Sequence, residues 1–224
     1  MNKIHLLDNG LINKIAAGEV VERPASVVKE LMENSIDAGA TSITVEIAEG
    51  GTSVIKITDN GKGIPKDEIR TAFMRHATSK IDSFEDLENV LTLGFRGEAL
   101  SSIASVAQVE MLTRTENDSM GTRIVINGGV VDREEECAAN VGTVFYVKNI
   151  FFNTPARRKF LKKPATEGSY ISEIVNRIAL GHPNIAIKYV NNGNIVLQTN
   201  GDGNVKNSLF YIYGKDIASK MLSL

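Results

Sequence analysis

Apolar residues along the chain follow two spacings. From Pro24 to Asp37, "PASVVKELMENSID" places Val27, Val28, Leu31, Met32 and Ile36 on one side of a helical wheel. Pro24 at a first-turn position and Gly39 beyond the end bound that helix. Before it, "LINKIAAGEVV" (11–21) has the same helical spacing. The period then shortens to two. "TSITVEIAEGG" (41–51) and "TSVIKITDNG" (52–61) predict paired strands around Glu49, Gly50 and Gly51. Helical signals return from Pro65 to about Arg75, with Asp67 and Glu68 in the first turn, and again in "GEALSSIASV" (97–106).

Alternation then dominates in "VEMLTRT", "GTRIVING", "GGVVDREEE" and "GTVFYVKNI", between residues 109 and 150. A basic helix from about Pro155 to Lys163 and a longer one over 167–181 come next. "IAIKYVNNGNIVLQT" (185–199) predicts a hairpin turning at Asn192-Gly193. The last stretch, from Asn204, reads as helical and stops at Leu224 without a cap or turn signal, so the chain is expected to continue. Strands in consecutive antiparallel runs, with few long helices, predict an α+β fold with helices covering one face of a largely antiparallel sheet. The regular strand–helix alternation of a doubly wound parallel sheet is missing.

Composition narrows the function classes. With 42% hydrophobic and 23% charged residues over 224 positions, the chain has material for a sizeable core. A formal charge of −2 argues against a globally basic nucleic-acid binder. The single cysteine, Cys137, makes no internal disulfide, and no apolar run has the length of a membrane span. A cytoplasmic protein is expected.

Three stretches suggest chemistry. Glu30, Glu33, Asn34 and Asp37 share one face of the 24–37 helix. A solvated acidic face is one reading. The other is a ligand site, since asparagine is a poor mid-helix residue, an amide oxygen suits Mg²⁺ and a carboxylate can orient water. "DNGKGI" (59–64) has the look of a hairpin turn, but Pro65 and a helix come after it instead of a strand. That leaves an acid at a strand end, able to accept a hydrogen bond from an adenine amine, beside glycines that permit close approach. "LGFRGEAL" (93–100) puts glycines around Arg96 where a helix begins, which suits a phosphate. Neither a P-loop nor a dinucleotide fingerprint is present, and His5, His76 and His182 are scattered.

Together, "AAGEVVERPASVVKEL", "ENSIDAGA", "DNGKGI", "HATSK", "GFRGEALSSIASV" and "GTVFYVKNIFFNTPARRKFL" closely resemble the amino-terminal ATPase region of the MutL family of DNA mismatch-repair proteins, from about Leu11 to Lys163. Its superfamily includes gyrase B subunits, sensor histidine kinases and a heat-shock chaperone. The resemblance implies a Bergerat-type ATPase fold, with helices on one face of a mostly antiparallel mixed sheet. It implies that Glu30 activates the attacking water, that Asn34 binds Mg²⁺, and that Asp59 hydrogen-bonds adenine with Gly63 in the pocket wall. Thr78, Ser79 and Lys80 match a lid segment. Gly94, Phe95, Arg96, Gly97 and Glu98, running into Ala99 and Leu100, match the phosphate-wrapping loop. Thr143 matches the threonine beside the adenine site, and Ala38 joins the nucleotide-binding set. Glu33 and Asp37 match as supporting residues.

The same resemblance implies an ATPase domain over 1–205 and the start of a ribosomal-protein-S5-like domain over 206–224, a later part of which contributes a lysine to the γ-phosphate. It further implies an ATP-dependent homodimer, a mismatch-recognition protein and downstream repair enzymes as partners, and weak, non-specific contact with DNA. "RRKFLKK" (157–163) is either a solvated basic face or a phosphate-contacting patch. Two other functions remain open from sequence: an ATPase subunit of a type II topoisomerase-like protein, and a nucleotide-sensing module without turnover.

Overall fold

A computed structural model describes Gly10 and residues 17–77 and 97–220. Residues 17–20 are helical and lead to α1, Pro24–Asp37. Strands β1 (Ser42–Ala48) and β2 (Val54–Asp59) pair antiparallel across a one-turn 3₁₀ helix, Glu49–Gly51. Gly50 there has φ +64°, and a Cβ on it would fall 2.3 Å from the Pro164 carbonyl oxygen. Only glycine fits this corner.

Helices α2 (Ile69–Ala72) and α3 (Ala99–Val106) come next, then β3 (Gln108–Arg114), β4 (Gly121–Asn127), β5 (Val130–Cys137) and β6 (Gly142–Lys148). After these lie α4 (Pro155–Phe160), α5 (Pro164–Gly181), β7 (Ala186–Asn191), β8 (Asn194–Gln198), α6 (Val205–Tyr213) and α7 (Lys215–Ala218).

The strands form one sheet in the order β5-β4-β3-β6-β2-β1-β7-β8. Every pairing is antiparallel except β1 with β7. Strands β6 and β7 therefore run the same way, and α5 supplies the crossover that a hairpin could not. Alternate strand residues point into the core, among them Ile43, Val45, Ile55, Ile57, Val109, Met111, Phe145 and Ile187. They meet Val27, Val28, Leu31 and Met32 of α1, Ile103 of α3, and Ile171 and Val175 of α5. This is the α+β, helices-on-one-face arrangement expected from the alternation.

The opposite face carries charge. Lys56 pairs with Glu46 at 2.6 Å, and Lys56 and Lys148 both lie over the Tyr146 ring. Glu110 binds Lys148 at 2.9 Å and Arg123 at 2.8 Å, and Arg123 continues to Glu135 at 2.6 Å. The two sheet edges differ. On β5, Glu134 and Glu136 pair with Arg70 and Lys66, whereas β8 exposes Ile195 and Val196 by 58% and 53%.

Two expected helices are shorter than the sequence suggested. The one expected from Pro65 to Arg75 reduces to α2, in which Ile69 is the buried residue. Lys66–Glu68 form a turn before it, and His76 at φ +61° lies beyond its end. The basic helix stops at Phe160 rather than Lys163. Leu161 and Lys163 are extended, and Pro164 both disfavours helix in the residue before it and opens α5. The 185–199 hairpin turns where expected, with Asn192 at φ +49° and Gly193 at φ +79°.

Candidate functional site

Asp59 ends β2, and its register partner on β6 is Thr143, which in turn stands opposite Thr113 on β3. The three are buried, and the two threonine hydroxyls lie 3.1 Å apart. Asp59 Oδ1 accepts the Gly61 N–H at 2.9 Å, and Oδ2 lies 2.8 Å from the Ser35 hydroxyl. A Thr143 backbone donor also acts on the carboxyl. Burial, the largest influence, pushes the Asp59 carboxyl above its ordinary range; the Gly61, Ser35 and Thr143 donors pull the other way.

The turn after Asp59 must pass close to other backbone. A Cβ on Gly63, at φ +71°, would sit 2.2 Å from the Arg114 carbonyl oxygen. Lys62 N–H donates to the Ala38 carbonyl at 3.0 Å, so the end of α1 and the 59–64 turn are locked together. Ala38 is thereby placed beside Gly61, while Ile64 N–H donates to the Thr113 hydroxyl at 2.9 Å. Asp59, Gly63, Ala38 and Thr143, chosen from sequence, thus converge at one end of β2 and β6.

The acidic face of α1 is organised around a cation. Lys29 Nζ lies 3.0 Å from Glu33 and 3.5 Å from Glu30. Burial, the largest single influence on Lys29, acts to lower its pKa, but the attraction of Glu33 and Glu30 outweighs it and the net shift is upward. Glu33 is buried against the helix, whereas Glu30 keeps a partly open carboxylate. Asn34 is half-buried one turn after Glu30. Among the described residues no group of at least three His, Cys, Asp or Glu side chains converges to hold a metal. The Asn34 amide oxygen is a hard donor of the kind Mg²⁺ accepts, and this ion ordinarily takes further ligands from phosphate and water.

The third expected element is described only in part. Thr78, Ser79, Lys80, Gly94, Phe95 and Arg96 lie outside the described residues. Gly97 has φ +61°, and a Cβ there would meet the Ala77 carbonyl oxygen at 2.6 Å. Glu98 precedes α3 and directs its carboxylate to Arg75 and His76, at 3.3 and 3.2 Å. Ala99 and Leu100 open α3, where helix geometry leaves backbone N–H groups without intrahelical acceptors.

Sequence reasoning missed Ser35, Thr113 and the role of Arg157. A small hydroxyl carries no weight on a hydrophobic wheel, so Ser35 gave no signal there. Arg157 read as part of an open basic run. Its guanidinium instead covers Gly18, where an added Cβ would fall 2.2 Å from a guanidinium nitrogen. Arg158, Lys159, Lys162 and Lys163 are exposed.

Residues 22–141 match the family model described as histidine kinase-, DNA gyrase B- and HSP90-like ATPase. The chain is 57% identical over its full length to the DNA mismatch repair protein MutL of Agathobacter rectalis, covering 35% of that protein. It is 54% identical over 99% of its length to MutL of Caldanaerobacter subterraneus, covering 38% of it. It thus spans little more than a third of these relatives. Among solved structures, the Aquifex aeolicus MutL ATPase domain complexed with ADP superposes with a TM-score of 0.71 at 31% identity, over 87% of this chain and 70% of that one.

Proposed function

Because the chain belongs to the histidine kinase-, DNA gyrase B- and HSP90-like ATPase family, in its MutL branch, we propose that it is the ATP-binding and ATP-hydrolysing module of a DNA mismatch-repair protein. The observation that carries this reading is the Asp59 carboxyl, buried at a strand end, held by the Gly61 N–H and the Ser35 hydroxyl, and reached through Ser35 from the acidic helix α1. An ionised carboxylate has about four lone-pair sites. The Gly61 N–H and the Ser35 hydroxyl leave lone pairs for a further donor, which the amine of adenine supplies.

In this reading Gly63 and Ala38 shape the wall beside the base, and Thr143 flanks it. The phosphates lie toward Gly97, Ala99 and Leu100 at the start of α3; the family resemblance adds Gly94, Phe95 and Arg96 to the phosphate-binding set. Asn34 holds Mg²⁺, which when bound neutralises phosphate charge. Glu30 draws a proton from the attacking water, and Lys29 and Glu33 hold the neighbouring charges in place. Nucleotide-driven dimerisation, lid closure, weak DNA contact, and coupling to a mismatch-recognition protein and later repair enzymes belong to the same proposal and rest on the family resemblance. So does a cytoplasmic location; among the described residues no helix is long and apolar enough to cross a membrane.

Calorimetric titration with ATP tests the reading. Asp59→Asn is expected to weaken binding at least about tenfold, the value of a buried hydrogen bond to a charged group. Unchanged affinity would mean that adenine is held elsewhere. Sedimentation with a nonhydrolysable ATP analogue tests the dimer: a monomer at saturation would remove it from the proposal.

A further inference from the structure

The Ser35 hydroxyl has one proton and two acceptors. It stands 2.8 Å from Asp59 Oδ2 and 3.0 Å from the Leu31 carbonyl oxygen. Both contacts are buried, so neither acceptor is relieved by solvent. We propose that Ser35 fixes the base preference of the site by keeping Asp59 an acceptor toward the ligand in both of its protonation states. The proposal rests on the adenine reading of Asp59.

When Asp59 is ionised, Ser35 donates to Oδ2, and the carboxylate offers its remaining lone pair to a ligand N–H. When Asp59 takes up a proton, Oδ2 donates that proton to Ser35 Oγ, and the Ser35 proton turns to the Leu31 carbonyl. Every proton then has an acceptor, and nothing on Asp59 points a donor at the ligand. Gly61 N–H on Oδ1 reinforces this, because it accepts no proton itself. A purine with an amine at position six is welcomed in either state, and one with an oxo group meets two acceptors face to face. Without the Ser35 oxygen, an acid proton on Asp59 has no protein partner and becomes available to an oxo group.

The remaining charges near this end of the sheet leave the switch to Ser35. On α1, Glu30 and Glu33 both pair with Lys29. Among the described residues the other charged or titratable groups on the neighbouring elements include Asp37 on α1, Lys62 within the 59–64 turn, Arg114 on β3, and Tyr146 and Lys148 further along β6. Burial and hydrogen bonding govern its titration.

The test compares ATP with inosine triphosphate, which carries an oxo group where adenine has its amine, in calorimetric titrations of the protein and its variants. The unaltered protein is expected to prefer ATP. In Asp59→Asn the Gly61 N–H keeps the amide oxygen at the Oδ1 position and Ser35 Oγ takes one of the two amide protons, so binding is expected to weaken while ATP stays preferred. Adding Ser35→Ala frees the amide to turn, and the preference for ATP should fall about tenfold or more, a swing of about 1.4 kcal/mol. Ser35→Thr, which retains the hydroxyl, should behave as the unaltered protein.

A second measurement does not need the double variant. In Ser35→Ala alone, the ATP preference should narrow as pH falls through the Asp59 titration, while that of the unaltered protein holds. If the protein prefers ATP but neither Ser35→Ala variant changes the ratio, the role of Ser35 is overturned and the adenine reading stands. If the unaltered protein binds neither nucleotide, or both equally, the adenine reading itself falls.

Discussion

Asp59 works against the fold that holds it. Burial raises its carboxyl pKa, so folding disfavours the ionised form. The stability associated with this group is therefore full below its unfolded pKa and is lost as pH rises through the folded one. At neutral pH the site costs stability and gains an acceptor. Asp59→Asn is expected to melt at the same or a higher temperature than the parent at pH 7, with the difference shrinking as acid protonates Asp59. A clear fall in melting temperature at pH 7 would show that the carboxylate is net stabilising. Glu30 belongs to a different class of residue, exposed enough to meet water. Glu30→Ala is expected to retain ATP affinity while turnover drops by roughly 10²–10⁴, the range for loss of a general base. Hydrolysis at the parental rate would mean that Glu30 is not the general base.

At the scale of elements, the corner between β1 and β2 is the most constrained. Gly50 combines a left-handed φ with backbone of Pro164 where a Cβ would go, so it joins the sheet to the start of α5. Gly50→Ala is expected to destabilise by about 1–3 kcal/mol from backbone strain alone. Denaturant unfolding measures this directly, and a change below about 0.5 kcal/mol, within the ordinary range of surface substitutions, would mean that the corner relaxes freely. Much of this architecture was legible in sequence. The period-two runs placed β1 to β8, because the inner strands bury alternate residues, while the edge strands β5 and β8 stay largely exposed. The parallel β1–β7 pairing was not legible, since it depends on where α5 lays the chain down after crossing the sheet. Nor was the brevity of α2: Pro65, Asp67 and Glu68 resemble a helix start, but they serve a turn, and a single buried isoleucine anchors the short helix beyond it. At the candidate site, the acid at a strand end was visible in "DNGKGI". Ser35 was not, because its partners are 24 residues away or on its own helix backbone.

Considered as a whole molecule, the site residues found among the described positions lie between Glu30 and Thr143 and gather around α1, β2, β6 and the start of α3. In the proposed reading, the family resemblance implies a lysine from a following domain at the γ-phosphate. A cation about 4 Å from a phosphate charge contributes on the order of 4 kcal/mol at an effective dielectric of 20. If that acted only in the transition state, its loss would slow hydrolysis about a thousandfold, an upper estimate for an open site. We propose that residues 1–224 by themselves hydrolyse ATP far more slowly than the same residues joined to a domain carrying such a lysine, at saturating ATP. Equal rates would mean that the lysine is dispensable.

The unlike edges of the sheet bear on how the molecule behaves in a crowded solution. A terminal strand offers its unpaired backbone groups to any other chain that can lie alongside. At β5, a stranger must strip water from Asp132, Arg133, Glu134, Glu135 and Glu136 and displace the Arg70 and Lys66 side chains paired to Glu134 and Glu136. Those pairs hold only while the carboxylates are ionised, so this guard weakens in acid. At β8 the guard is thin at any pH, because Ile195 and Val196 stand open beside the uncharged Asn194 and Gln198. Unwanted strand addition should therefore begin at β8, and a single lysine in place of Val196 would make that rim inhospitable with the interior of the fold untouched.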